Sequence, residues 1–375
     1  MFFKSIPGKS EVKKQLVSAV DKNRIPHAQL FLSKEGYGAL AMALALAAYI
    51  TCEDKKNGDS CGVCKQCLKS HKWIHPDIHF SYPVVKFGDK KRESTTSDDF
   101  LPKWREALSK NSFMGHSDWF DLMDAQNSLP NINVKECNDI IHKLSMMSFE
   151  SEAKILIMWL PEYLGNNGNR LLKLIEEPTD HTYIILVAEQ QELILQTILS
   201  RCQIVKIPSF SNDEITRYLL EQNNTLQRST AEQIANLSDG NLNLAIAISN
   251  NEDVDYSDLL ISWFRIAYKA DPVEINAWIK TIDGMEKEEQ KNFLEYGLHF
   301  FRQYNYRLLT QSDNIQLTKK EKEIASKMAN IIDIEKSTEI CEVINTTANR
   351  VSSNINLKIT LFADTLHIHR ILRSK

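Results

Sequence analysis

Two stretches of this chain, "KILIMWL" (154–160) and "TYIILV" (182–187), are almost unbroken apolar runs. An alternating strand has one wet face, whereas a strand apolar throughout is covered on both, as in a parallel sheet sandwiched between helices. Three more β-rich runs, "AQLFL" (28–32), "DIHFSYPVV" (77–85) and "QIVKI" (203–207), are separated from these by helical patterns at 10–22, 39–50, 134–147 and 166–177. Strands alternating with helices predict an α/β domain on a five-stranded parallel sheet, here over residues 1–208. The polar, irregular stretch 86–130, beginning "KFGDKKRESTTSDDF", reads as a surface insertion.

Past residue 208 the β signal ends. Short helices are expected at 212–222, 229–237 and 242–249, with Ser211 to Asp213 offering an N-cap for the first. From 251 to 375 every segment reads as helix: 256–269, 272–283, 286–310, 318–332, 335–349 and 354–373. Apolar residues such as Phe293, Tyr296, Leu298, Phe300 and Tyr304 recur there largely at three- and four-residue spacing, the signature of a packed helix face. A chain of 375 residues has room for the resulting three parts, 1–208, 209–250 and 251–375.

The turn after the first strand, "FLSKEGYGALAMALALA" (31–47), has the outline of a phosphate-binding loop without its chemistry. A working loop has the pattern G-x-x-x-x-G-K-[ST], in which lysine reaches the β and γ phosphates and the hydroxyl holds magnesium. Gly36 and Gly38 are kept, but Ala39 and Leu40 stand at the lysine and hydroxyl positions. The strand 154–160 should end in acidic residues that organise magnesium and water; it ends in Trp159 and Leu160, with Glu162 two residues late. Losing two charge-assisted contacts of about 1.5–3 kcal/mol each moves micromolar nucleotide binding toward millimolar or weaker. The expectation is a site that neither binds nor hydrolyses ATP. The glycines then serve only a tight strand-to-helix turn.

Four of seven cysteines crowd into sixteen residues, as C-x8-C-x2-C-x2-C: Cys52, Cys61, Cys64 and Cys67. Two C-x2-C steps bring thiolates together on one tetrahedral ion, and four protein ligands leave no open position. A structural zinc module over 52–67 is expected. No apolar run reaches the roughly 20 residues that span a bilayer. The first residues lack the apolar core of a signal peptide. With a net charge of −4, these features predict a cytoplasmic protein rather than one that coats nucleic acid.

Taken together, the motifs resemble the bacterial clamp-loader subunits of the AAA+ class, the delta-prime branch of DNA polymerase III in particular. "RIPHAQLF" (24–31) is similar to the family's R-x-x-H-A-x-L-F, and the cysteine spacing matches its zinc module. "HPDIHF" (75–80), "NRLLKLIEEP" (169–178) and "SRCQ" (200–203) match its H-P-D, N-x-L-L-K-x-L-E-E-P and S-R-C motifs. "NINLKI" (354–359) resembles an element of its C-terminal collar. The likeness covers 1–250 well and rests beyond that on helical content.

The resemblance implies an AAA+ module, a helical lid over 209–250 and an α-helical collar over 251–375. It implies a hetero-pentamer with gamma/tau-like ATPase subunits and a delta-like subunit, acting on the sliding clamp and primed DNA. It also implies that Arg201 reaches into a neighbouring ATPase site as an arginine finger. Departures point to a nonhydrolysing, stator-like member: the lysine and the acidic pair are missing, and Asn243 in "GNLNLA" (240–245) stands where the motor subunits carry a lid arginine. Two other readings use the same residues differently. One is a divergent gamma/tau-like ATPase with residual turnover; the other is a zinc-dependent nucleic-acid-binding module using the basic run "KFGDKKR" (86–92).

Overall fold

A computed structural model describes every residue except 124, 126–128, 251–255, 286, 313, 314, 316, 318, 352–355 and 375, and describes no side chains at 287, 288, 319 and 349–351. The start of the expected 354–359 element therefore lies outside the described residues. The chain divides into two compact units, Met1–Ile215 with Gly240–Asn243, and Thr216–Asp239 with Leu244–Lys375. The segment 209–250 contributes to both.

In the first unit, chain order runs α1 (Ser10–Asp21), β1 (Ala28–Leu32), α2 (Ala39–Thr51), α3 (Lys65–Ser70), β2 (Ile78–Ser81), α4 (Leu101–Lys110), α5 (His116–Leu122), α6 (Val134–Ser145), β3 (Lys154–Trp159), α7 (Leu172–Glu176), β4 (Thr182–Ala188), α8 (Gln196–Leu199) and β5 (Gln203–Lys206). The five strands are all parallel, in the order β2-β3-β4-β1-β5. Leu30 of β1 lies opposite Leu186 on one side and Ile204 on the other. All six residues of β3 are buried, as their unbroken apolar run requires. Because β1 lies between β4 and β5, the chain order reverses there. In open parallel sheets the crevice at the carboxyl ends beside such a reversal is where ligands bind. The 33–38 turn leaves β1 at that end.

Helix α2, "ALAMALALAAYIT", is buried over twelve of its residues. A helix apolar all round belongs in a core, and its alanines keep it thin enough to lie close on the sheet. The helix expected at 166–177 is instead a 3-10 segment, Pro161–Leu171, leading into α7. Gly165 breaks the helical path (φ 49, ψ −137), and "GNNGN" is poor in helix formers.

The 86–130 stretch is not the irregular surface insertion its polarity predicts. Residues 86–94 are exposed for the most part, but the segment then forms α4 and α5 and buries Phe100, Trp104, Leu108, Phe113 and Trp119. Charges on the wet face conceal a helical stripe at Phe100, Trp104, Ala107 and Leu108 (i, i+4, i+7, i+8). Trp104 stacks on Tyr82 at 4.1 Å and meets Trp159 at 5.3 Å. The segment is also stitched by hydrogen bonds: Tyr82 Oη donates to Ser97 O (2.7 Å), and Ser97 N donates to buried Glu136 (2.8 Å) on α6.

In the second unit, α9 (Asn212–Gln222) enters from the first unit, α10 (Arg228–Ser238) follows, and α11 (Leu242–Asn250) begins in the first unit. Next come α12 (Tyr256–Lys269), α13 (Pro272–Asp283), α14 (Lys287–Thr310), α15 (Lys319–Met328), α16 (Ile334–Val351) and α17 (Leu357–Arg373). Their core centres on Trp263, which stacks on Trp278 at 5.0 Å and donates its indole N–H to Thr365 at 2.9 Å. Asp271 caps α13 by accepting from Val273 N, with Pro272 at the first helical position. Among the described residues no helix is long and apolar enough to cross a membrane.

The "HPD" triplet has a structural task. Asp77 accepts backbone N–H bonds from Phe149 (2.5 Å), Glu150 (2.8 Å) and Ser151 (2.8 Å), closing the turn between α6 and β3. His75 takes Asp77 N on Nδ1 and bonds Gln66 Oε1 at 2.7 Å, and Gln66 in turn donates to Glu150 O. Although burial opposes ionisation, these three donors hold the Asp77 carboxyl below its ordinary value of 3.8. A depressed native pKa contributes stability above the unfolded value, and that contribution disappears as pH falls through the native one. Asp77→Asn should therefore cost about 1–3 kcal/mol near neutral pH. It should also speed amide exchange at 149–151, and the gap to wild type should close as acid protonates Asp77. Urea melts across pH check the sign.

Candidate functional site

The crevice at the carboxyl end of β1 is lined by the residues that the sequence places there. Gly36 and Gly38 both have positive φ, +73 and +85, the backbone such a turn needs. Ala39 and Leu40 follow as the buried first residues of α2. Trp159 and Leu160 close the β3 end, both 2% exposed. No cationic or acidic side chain stands at these four positions.

The crevice is filled from within the unit. The strap Gly240–Asn243 crosses it: Leu242 N donates to Gly36 O (3.0 Å), and Phe210 N donates to Gly240 O (3.2 Å). Asn241 lies against Gly36 so closely that a β-carbon there would come 1.7 Å from its side-chain oxygen. Asn243 accepts from Asn111 Nδ2 (2.6 Å) and donates to Asp118 (2.8 Å), so it is committed to the α4–α5 segment. Phe113 and Met114 from that segment enter beside Ala39 and Trp159. The space left among the described residues is about 20 Å3. That holds roughly one water, whereas sites for drug-sized ligands measure roughly 300–1,000 Å3.

Polar side chains lock the rim. His116 Nδ1 bonds Glu189 at 2.9 Å and lies 3.4 Å from Glu35, joining the 33–38 turn, the α4–α5 segment and the end of β4. Gly115 is what lets Glu35 approach, since a β-carbon there would come 1.6 Å from its carboxylate oxygen. Glu162 accepts from Glu189 N (2.5 Å) and Gln190 N (2.7 Å), so it caps β4 instead of facing the crevice as a catalytic acid. Sequence reasoning missed Asn111, Phe113, His116 and Asn241. Of these only Phe113, in an aromatic-rich tract, left any signal.

Elsewhere the four cysteines converge. Cys52, Cys61, Cys64 and Cys67 offer sulfurs that all lie within 4.8 Å of one another, a group that could hold a metal ion. The Cys61 and Cys67 sulfurs are 3.8 Å apart, close to the edge of a tetrahedron with metal–sulfur bonds of about 2.3 Å. Backbone N–H groups of Cys61, Cys64 and Cys67 point at the sulfurs of Cys52, Cys61 and Cys64 at 3.2–3.4 Å. Such donors favour thiolates. Slight burial works against ionisation of Cys61, but N–H groups of Val63 and Cys64 pull its thiol down to about 7, whereas burial pushes the thiols of Cys52 and Cys67 up. The donor set, its spacing and the convergence of the four sulfurs suit a closed metal site.

Arg201 sits just before β5, one-third exposed. It pairs with Glu176 of the "LLKLIEEP" helix and donates to Thr197 O (2.8 Å) and Ser200 Oγ (3.2 Å). Two sequence motifs thus meet in one ion pair at the surface of the first unit.

Residues 8–211 match the family model described as DNA polymerase III, delta subunit. The chain belongs to that family. It is 26% identical over 242 residues to the DNA polymerase III subunit delta' of Bacillus subtilis, covering 64% of this chain and 59% of that protein. It is 24% identical over 252 residues to DNA polymerase III subunit tau of Escherichia coli, covering 66% and 32%. The chain spans about half the length of the delta' relatives it matches. A solved gamma subunit-related protein from Thermotoga maritima overlays 96% of this chain and 99% of its own, at 14% identity and a TM-score of 0.43.

The crevice geometry predicts that Gly36→Ala costs about 1–3 kcal/mol, through both the positive φ and the collision with Asn241. Amide exchange at 240–243 should rise with it, while Gly88→Ala, whose β-carbon meets nothing within 4 Å, should leave that strap's exchange unchanged.

Proposed function

We propose that this delta-subunit family member is a delta-prime-like, nonhydrolysing subunit of a bacterial clamp loader. In this reading the first unit is an AAA+ scaffold, 209–250 serve as its lid and the helices after 251 as a collar. Its partners are gamma/tau-like ATPase subunits and a delta-like subunit in a hetero-pentamer. That cytoplasmic complex places the sliding clamp on primed DNA during replication. The observation that carries the reading is the crevice, which lacks both the lysine and the acidic pair and is occupied by Asn241, Phe113 and Met114. A site built this way has neither the space nor the charge for a nucleotide. What it keeps is the outline of the module, which is what a ring of similar subunits needs.

The active contribution is then made outward. Arg201 supplies a planar guanidinium to phosphate bound by the adjacent ATPase subunit, in the manner that raises phosphoryl-transfer rates about 10³–10⁵-fold elsewhere. Its pairing with Glu176 supports this role. A partly exposed ion pair is worth about 0–1 kcal/mol, enough to orient the side chain without withholding it from a phosphate.

Cys52, Cys61, Cys64 and Cys67 would hold a structural Zn2+. When bound, zinc cross-links the end of α2 to α3. The chain's own contribution is the thiolate set and the N–H shell around it. Exposed apolar residues on the neighbouring loops, Met147 at 94% and Phe149 at 81%, give this side of the module a surface suited to another protein.

Two outcomes are expected. Native protein should carry about one zinc per chain by elemental analysis. Cys64→Ser should lose it and loosen residues 50–70 while the sheet stays folded by circular dichroism. In the reconstituted loader, Arg201→Ala should leave assembly intact and lower ATP hydrolysis by the neighbouring subunit at least about tenfold. Lysine should rescue poorly, because a point charge lacks the planar fork. Unchanged hydrolysis in a correctly assembled complex would reduce Arg201 to a surface ion pair and remove the trans-acting role.

A further inference from the structure

The helical unit contains a half-open cavity of about 500 Å3 among α12, α14 and α15, within the roughly 300–1,000 Å3 range of small-molecule sites. Leu260, Phe264, Phe300, Ile324 and Met328 supply its walls. Contacts at both ends set the direction in which its helices run. Lys320 pairs with Asp258 at 2.8 Å, and the Tyr296 hydroxyl donates to the Glu321 carboxylate. Further along, Phe264 of α12 meets Phe301 of α14 at 5.2 Å, and the Tyr304 hydroxyl of α14 donates to Ile332 O just past α15. The first turn of α15 therefore lies beside the first turn of α12, and both helices supply lining residues toward their carboxyl ends.

Seven residues beyond Asp258 is Arg265, and seven beyond Lys320 is Lys327, each about 10 Å further at 1.5 Å per residue. The two cations therefore arrive at the same end of the trough, and both are exposed. Neither has an ion pair among the described residues. Lys269 follows one turn later but is paired with Glu274 at 3.1 Å, so the free charge at this end comes from Arg265 and Lys327. The Arg373 guanidinium lies 4.2 Å from the ring of Tyr268, another lining residue. At the opposite end the one lining carboxylate, Glu321, is buried and already accepts from Tyr296. The cavity is thus apolar along its length and cationic at one end. Cations in the last turn of a helix also complement its macrodipole, a role that needs no ligand. That role does not explain an open apolar trough leading up to them.

We propose that this cavity binds an amphipathic monoanion, an unbranched acyl chain lying along the apolar walls with its carboxylate held between Arg265 and Lys327. The inference is independent of the crevice and of the clamp-loader reading. Each methylene that enters the trough should add about fourfold in affinity, the equivalent of 0.8 kcal/mol. The carboxylate should add a further preference through charge-assisted hydrogen bonds.

The test is calorimetric titration of the full-length chain with decanoate, dodecanoate and tetradecanoate below their micelle concentrations, alongside dodecanol and dodecyltrimethylammonium. Saturable binding of one carboxylate per chain is expected, tightening about fifteenfold for each two carbons. The trimethylammonium analogue should bind much more weakly. Arg265→Gln with Lys327→Gln should weaken dodecanoate at least about tenfold and leave dodecanol unchanged. Both positions are exposed, so an unaltered melting temperature would show that the fold survives. Absence of saturable binding, equal affinity for the cationic analogue, or an unaffected double variant would each overturn the proposal.

Discussion

The contact between Trp159 and Trp104 is the point from which the first unit's character follows. Trp159 ends β3, where a nucleotide-hydrolysing site of this outline needs carboxylates, and its indole lies 5.3 Å from that of Trp104 on the α4–α5 segment. Tyr82 stacks on Trp104 from one side, and Trp119 meets both edge-on. These four side chains are at most 2% exposed. Each aromatic buries about 150–250 Å2, so together they fasten α4 and α5 to the sheet far more firmly than any rim ion pair. Once fastened, that segment brings Phe113, Met114 and His116 to the crevice, and Asn111 and Asp118 to Asn243. Replacing an acidic tip by tryptophan therefore does two things at once. It leaves no carboxylate at the strand tip and recruits the structure that fills the space.

Much of this fold is legible in the sequence because the relevant signals are local. All five strands fall within the β-rich runs, two of them almost unbroken apolar, and the start of α13 follows from Asp271 and Pro272. Convergence of the four cysteines follows from C-x2-C spacing. The α4–α5 segment was illegible because its buried stripe is diluted by charges, and because its apolar partners, Tyr82 and Trp159, are distant in sequence. Asn241 was illegible for a different reason: nothing about a lone asparagine says that it will lie on a glycine two hundred residues away. The 3-10 path over Pro161–Leu171 shows apolar periodicity overruled by the glycine and asparagine content of the backbone. Arg201 was legible as a motif but not as a pair, since Glu176 belongs to another motif.

Filling the crevice from within also has a consequence for dynamics. In a nucleotide-driven module, ligand binding and loss change which segments are held together, because only the state with ligand gains its contacts. Here the Gly240–Asn243 strap is held by Gly36, Phe210, Asn111 and Asp118, none of which departs. A crevice held by its own residues in this way suits the fixed ring member proposed above, whose neighbours would change state. Under the proposed function, the module would act through what it presents outward, namely Arg201 and the surfaces around the cysteine cluster.

The central claim is that the crevice retains the outline of a nucleotide site while holding no nucleotide. Calorimetric titration of the isolated, metal-replete chain with ATP and magnesium tests it most directly. The account predicts no saturable heat into the millimolar range, and no change in amide exchange at 36–40 or 240–243. Micromolar affinity, with protection appearing at Gly36 and the strap, would contradict it.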